Sequence, residues 1–366
     1  MSWRDLESGI GRGAAVAASG AVVAGLAAAA TGLGPAVAPR TTGALIASWL
    51  FFAGVVAGAA AFRAFFRIVD ARWARPLAPL ARLPAAFLPS AAVVLALILA
   101  SAVRAPWVAD ARGWLGTRAL VAREVAANAV LFALAWLVLR PGRGRSRALA
   151  VAYCLVYAVV LSIWAFDFVL GPDPVWGSTL AGPYVFMAAF LAGTGLVVFL
   201  GLALGVLGHR ERRDAGALVF ALGIFWAYLF WSQFLTLWYA NLPDEIGFAL
   251  RRAADGWGWV VLAVIGLVFV APFVALLHPA GRRSPRFFGA IVAAQLAGLW
   301  LDFHLLVVPS LSPRGSPPLV WRDVLIGLGM LGAFVLSIAP AIGRELRARR
   351  PAAAPAPDAA AGAPVV

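Results

Sequence analysis

The chain has 366 residues, 63% of them hydrophobic and only 13% charged, about half the charged share of an ordinary soluble domain. Its net charge of +14 comes from arginine alone, and these arginines lie between apolar runs rather than in a tract, so they read as topology signals and not as a nucleic-acid surface. One cysteine, Cys154, excludes a disulfide framework and a cysteine-held cluster.

About 20 apolar residues are needed to cross a hydrocarbon core. The segments 13–34, 42–62, 85–103, 119–139, 148–170, 181–208, 216–240, 257–277, 287–308 and 322–342 meet that length. The fold class is therefore an all-α polytopic membrane protein with about ten transmembrane helices. The first segment follows a mixed-charge start without a convincing cleavage site, and reads as an uncleaved helix. The N-terminus, the even-numbered connections and the C-terminus hold 21 of the 30 arginines. The positive-inside rule then places both termini in the cytoplasm. Four segments between residues 42 and 170, and four between 171 and 308, suggest two four-helix bundles. Helix 1 (within 1–41) and helix 10 (within 309–342) flank them, and the Ala/Pro-rich stretch 343–366 reads as a disordered tail.

Two acids stand out in this apolar background. Asp167 follows Ile163-Trp164-Ala165-Phe166 near the end of the fifth segment, and Asp302 follows Leu299-Trp300-Leu301 near the end of the ninth. A carboxylate inside a membrane segment costs several kcal/mol unless paired, hydrated or protonated, so each is a functional candidate. The predicted topology brings both to the outer side, together with Arg123 and Glu124 at the start of the fourth segment and Gln233 and Tyr239 in the outer half of the seventh. The short likeness between the fifth and ninth segments also hints at a duplicated unit.

At 100° per residue, Tyr153, Tyr157, Trp164 and Asp167 share one face. Tyr228, Ser232, Thr236 and Tyr239 share another, while Glu124 and Asn128 lie one turn apart. Such groups can hold a file of water or carry protons; equally, they can be interhelical hydrogen bonds. Arg123 and Glu124 can simply neutralise each other. The histidines make no haem pair, since His209 and His278 fall at segment ends and His304 points away from Asp302, and no spacing suggests a metal site. Between segments, Gly171 to Thr179 forms a rigid turn in which Trp176 suits the membrane interface. Pro243 is expected to end the seventh helix. The acids Asp173, Asp244 and Glu245, with Trp176, suit a docking surface for outer-face partners.

Phe225-Trp226-Ala227-Tyr228, Ser232-Gln233-Phe234 and the run Trp238 to Glu245 resemble the ActF-type membrane subunit of alternative complex III, a bacterial quinol:cytochrome c oxidoreductase. That subunit belongs to the NrfD-like, polysulfide-reductase membrane-subunit superfamily. Asp167-Phe168 with Asp173 to Thr179, and Trp300-Leu301-Asp302 through Pro309, are similar to two further stretches of it. The chain departs from that pattern at Gly298 and Leu299, where a histidine is expected one turn before the acid, and at Gly171-Pro172. The resemblance implies a multi-pass subunit in the bacterial inner membrane, in contact with lipid. Its implied partners are a sister NrfD-like subunit, a periplasmic iron–sulfur subunit, and multihaem and monohaem cytochromes c. Haem and iron–sulfur centres would sit on those partners, none on this chain, and a quinol or menaquinol would be within reach.

The function expected from this is proton transfer or coupling beside quinol oxidation, together with anchoring of periplasmic redox subunits. Asp167 and Asp302 are the leading groups, and Tyr157, Tyr228, Ser232, Gln233 and Tyr239 are relay or positioning candidates beside Arg123 and Glu124. The alternatives are a proton-coupled transporter or polytopic lipid-processing enzyme, and a purely structural membrane anchor.

Overall fold

The computed structural model describes residues 11–32, 34, 38–102, 116–140, 146–241, 243 and 245–349. Among these, ten helices are long and apolar enough to cross a membrane. They are α1 (Arg12–Thr31), α2 (Ala38–Ile68), α3 (Leu80–Ser101), α4 (Thr117–Leu139) and α5 (Arg147–Leu170). Then come α6 (Ala181–Ala203), α7 (His209–Ala240), α8 (Trp257–Leu277), α9 (Pro285–Leu311) and α10 (Trp321–Ala348). The all-α polytopic class expected from the sequence holds, and each expected segment overlaps one of these helices.

The centre of the molecule is α2. It packs on α3, α4, α5, α6, α9 and α10, and its membrane-crossing stretch is almost wholly buried. Small residues allow this. Gly54 and Gly58 on α2 meet Ala189 and Gly193 on α6, and a Cβ added at Gly58 would stand 2.0 Å from the Ala189 carbonyl oxygen. Backbones approach this closely only through such residues, because lipid supplies no hydrophobic drive to push helices together. Around α2, the helices α4 and α5 pack on each other, and α6 packs on α7 and α9. The helix α8 joins α7 to α9, while α1 lies against α10.

Several boundaries differ from expectation for local reasons. The sixth helix stops at Ala203 because Gly205 takes a left-handed conformation (φ +65°), and Val206 N–H turns back to the Gly201 carbonyl. The seventh begins at His209, so the charged run Arg210 to Asp214 is helical. It ends at Ala240 through left-handed Asn241 (φ 47°), not through Pro243. The ninth continues through Pro309 to Leu311. The tenth runs to Ala348, so residues 343–348 are helix rather than tail, with an Arg349–Glu345 pair at 2.9 Å; Arg350 to Val366 lie outside the described residues. A short helix, Ile246–Ala253, fills the connection between α7 and α8. Two π-helical turns interrupt α5 at Ala165–Leu170 and α8 at Ile265–Val270.

The contacts between helices also fix a common end. N-terminal parts of even-numbered helices meet C-terminal parts of odd-numbered ones: Arg123 of α4 bonds Asp167 of α5, and Tyr184 of α6 bonds Asp302 of α9. Among the described residues all the buried carboxylates lie at this end, which is called the acidic end below.

Candidate functional site: a buried aspartate at the head of an aromatic cavity

The carboxyl group of Asp302 is fully buried. Its Oδ1 accepts from the Tyr184 hydroxyl at 2.7 Å, and its Oδ2 from Trp226 Nε1 at 3.2 Å. Both donors are themselves buried. Each arrives from a different helix, α6 and α7, so the aspartate joins three helices at one point. Two donors still leave lone pairs on both oxygens, so the group retains capacity for a further partner.

Asp302 is among the residues that border a cavity of about 480 Å3, within the usual range for a small-molecule site. Phe230, Gln233 and Phe234 of α7, Phe269 of α8 and Leu305 of α9 line it, with Asp302 among them. Trp231 and Phe234, both substantially exposed, form its rim on the outside of the bundle. Flat aromatic walls around a carboxylate suit a planar ligand that carries one hydroxyl donor and an apolar remainder.

A stack of Trp176, Phe248 and Arg252 also lines the cavity. Trp176 lies on Phe248 with centroids 3.4 Å apart, and the Arg252 guanidinium lies 3.3 Å from the centroid of the same Phe248 ring. Arg252 donates to the carbonyls of Leu305 (2.9 Å), Leu306 (2.5 Å) and Phe248 (3.0 Å), and to the Ser310 hydroxyl (3.1 Å). Burial pushes its pKa well below the ordinary arginine value, and neighbouring Asp173 opposes that. Asp173 bonds Arg251 and reaches Ser310 at 3.5 Å. Asp173 and Trp176, expected to face partners, are thus turned inward and buried, because the short helix Ile246–Ala253 supplies their counter-charge and their stacking ring. Glu245 caps the start of that helix half-buried, and Asp244 lies outside the described residues.

Asp167 occupies a different setting. Arg123 holds it through two bonds, Nε to Oδ2 at 2.8 Å and Nη2 to Oδ1 at 2.5 Å, with Asp167 buried and Arg123 partly so. Arg123 and Glu124 therefore do not form the expected pair with each other. Glu124 is also buried and faces the Asp167 carboxyl; its Oε2 accepts from the Asn128 amide at 2.9 Å. Its Oε1 is buried without a hydrogen-bond partner. The two acids are not at matched depth. Asp167 is three residues from the end of α5, about 5 Å, and Asp302 nine from the end of α9, about 14 Å. Asp167 also sits in a π turn, which accommodates the extra residue separating it from Trp164 relative to the spacing of Trp300 and Asp302.

The remaining candidates disperse. The Tyr157 hydroxyl donates to the Phe186 carbonyl at 2.5 Å and the Tyr153 hydroxyl to the Ala57 carbonyl at 2.8 Å, so this stripe ties α5 to α6 and α2. On α7, Tyr228 and Tyr239 are exposed on the outside of the bundle, away from the cavity, while Ser232 is half-buried and supplies a backbone carbonyl to Thr236. Of that set only Gln233 lines the cavity. Gln295 donates to the Val268 carbonyl at 2.9 Å, satisfying an acceptor in the π turn of α8.

Sequence reasoning missed a third charged group. Arg40 at the start of α2 bonds Asp323 at the start of α10 at 2.6 Å, and His304 lies 3.8 Å from the same carboxylate. The His304 ring is stacked between Trp257 and Trp300, each 5.7 Å away, and its Nε2 contacts the Pro318 carbonyl at 3.1 Å. Arg40 and Asp323 lie at the very edges of their segments, where a charge is unremarkable in sequence. Tyr184 and Trp226 were missed as ligands of Asp302 because nothing local links positions 118 and 76 residues away. Among the described residues, no three His, Cys, Asp or Glu side chains gather as metal ligands would. No family model matches the chain, and no curated protein matches it in sequence.

Proposed function

We propose that this chain is a membrane subunit of a quinol:cytochrome c oxidoreductase of the alternative complex III kind, in which Asp302 accepts protons from a quinol bound in the aromatic cavity. The observation that carries this reading is a carboxylate with spare lone pairs at the head of a cavity of about 480 Å3 with aromatic walls and an exposed rim. A quinol ring fits between such walls with one hydroxyl directed at Asp302, and its apolar tail leaves over Trp231 and Phe234. Gln233 is placed to hold the other side of the ring.

Oxidation of the quinol to the quinone releases two protons and two electrons. In this proposal Asp302 takes the two hydroxyl protons in turn, passing the first toward the acidic end before it takes the second, as the two electrons leave to a redox centre on a partner subunit. Tyr184 and Trp226 fix the carboxylate and stabilise its charged form. Both carboxylate oxygens keep their donors during the transfer, so the group need not rotate. The positive-inside rule makes the acidic end periplasmic in a bacterial inner membrane, which puts proton release on that side. The Arg123–Asp167 pair has the two-pronged geometry of a structural lock, and its part here is to hold α4 against α5; Glu124 and Asn128 beside it complete a polar cluster.

The test is steady-state cytochrome c reduction by quinol in the purified assembly, with Asp302→Asn and Gln233→Leu compared against the wild type. A positioned proton acceptor is worth about 100-fold or more in rate. Asp302→Asn is expected to lose that much with partner subunits still bound, and Gln233→Leu to raise KM for quinol. Undiminished turnover in Asp302→Asn, or a chain that purifies without iron–sulfur or cytochrome partners, would overturn the reading. A chain that works alone as a proton-coupled carrier would replace it.

A further inference from the structure

A second cavity, unconnected with Asp302, runs between α2, α6, α9 and α10. Its volume is about 520 Å3. Phe51 and Val55 of α2, Leu196 and Leu200 of α6, and Ala297 of α9 line it, and every other lining residue is apolar too. The one polar atom among the lining side chains, Trp300 Nε1, is engaged with the Ser48 hydroxyl at 3.3 Å. Val324 and Ile338 both face it from α10, fourteen positions apart, so the space runs about 21 Å along that helix.

This groove has a polar end. Phe199 and Ala293 line both it and an adjoining cavity of about 650 Å3, which is bounded by Leu202, Ser284, Arg286 and Gly289. The adjoining cavity lies at the end opposite the acids, where the arginine-rich connections are. Ser284 is committed to the helix, its hydroxyl accepting from Phe287 N–H at 3.3 Å. The Arg286 side chain is exposed there, with no partner among the described residues. A long apolar slot that opens beside an arginine suits an acyl chain and an anionic phosphate.

We propose that this crevice binds one anionic diacyl phospholipid from the arginine-rich leaflet, with one acyl chain in the groove and the phosphate beside Arg286. The bound chain fills the space between α10 and the α6–α9 pair, so the lipid is part of the packing of α10 on the bundle. The assignment is independent of any quinol chemistry at Asp302.

The experiment is native mass spectrometry of the full chain in mild detergent, titrated with phosphatidylglycerol or with phosphatidylcholine of the same chains. One phosphatidylglycerol per chain is expected to survive detergent washing in preference to phosphatidylcholine. Ala293→Phe places a ring at the junction of the two cavities and is expected to abolish retention. Arg286→Gln, an exposed substitution that leaves the fold intact, is expected to weaken phosphatidylglycerol binding about fivefold without changing phosphatidylcholine binding. Equal affinity for the two lipids, or unchanged phosphatidylglycerol binding in Arg286→Gln, would overturn the proposal. So would stoichiometric recovery of an isoprenoid in place of a phospholipid. If Ala293→Phe fails to fold, the Arg286→Gln comparison decides alone.

Discussion

Replacing Asp167 by Asn leaves the Arg123 guanidinium, only 9% exposed, facing a neutral amide in place of two charge-assisted bonds of 2.8 and 2.5 Å. Breaking one side of a buried ion pair costs about 3–5 kcal/mol, most of it the uncompensated charge that is left behind. Arg123→Met should cost a similar amount, since Asp167 then faces Glu124 without its guanidinium. Removing both partners, as Arg123→Met with Asp167→Leu, takes away both charges and their desolvation together. The double variant should therefore lie within about 1 kcal/mol of the wild type, giving a coupling energy of several kcal/mol across the cycle. Thermal or denaturant unfolding in detergent micelles, followed by circular dichroism, measures all four corners. Additive losses in the double variant would refute the account of this pair as a lock. The same four proteins carry a functional readout: if Asp167 only holds α4 to α5, the double variant keeps its turnover in the assembled complex.

Three further outcomes follow from the geometry. Tyr184→Phe removes the 2.7 Å bond to Asp302 and should cost about 1.5–3 kcal/mol in unfolding free energy while lowering quinol-dependent turnover; equal stability and turnover would deny that the hydroxyl bonds the charged carboxylate. Gly58→Val drives a side chain into the Ala189 carbonyl and should separate α2 from α6, costing at least about 1–3 kcal/mol, and normal unfolding of this variant would contradict the close approach. Gln295→Leu leaves the Val268 carbonyl unsatisfied in the π turn of α8 and should cost about 1–3 kcal/mol, with faster hydrogen exchange confined to that turn as its local signature.

The number and placement of the spanning helices were legible in the sequence, because crossing a hydrocarbon core forces a long apolar run and leaves the arginines at the ends. The acids were legible for the same reason, as costly exceptions to that run. Their partners were not. Helical periodicity showed that Tyr228, Ser232 and Tyr239 share a face, yet packing alone determines whether a face turns inward, and this one turns out. The likeness of the fifth and ninth segments suggested matched acids, but the π turn at Ala165–Leu170 and the extension of α9 through Pro309 put them at different depths. Asp167 therefore meets an arginine one helix away, and Asp302 meets a tyrosine and a tryptophan brought from α6 and α7. Sequence by itself determined that this is a many-helix membrane chain with carboxylates where the solvent forbids them. Only the tertiary structure decided which carboxylate is locked by a counter-charge and which lies beside a cavity, bound by uncharged partners, because that depends on contacts between residues far apart in the chain.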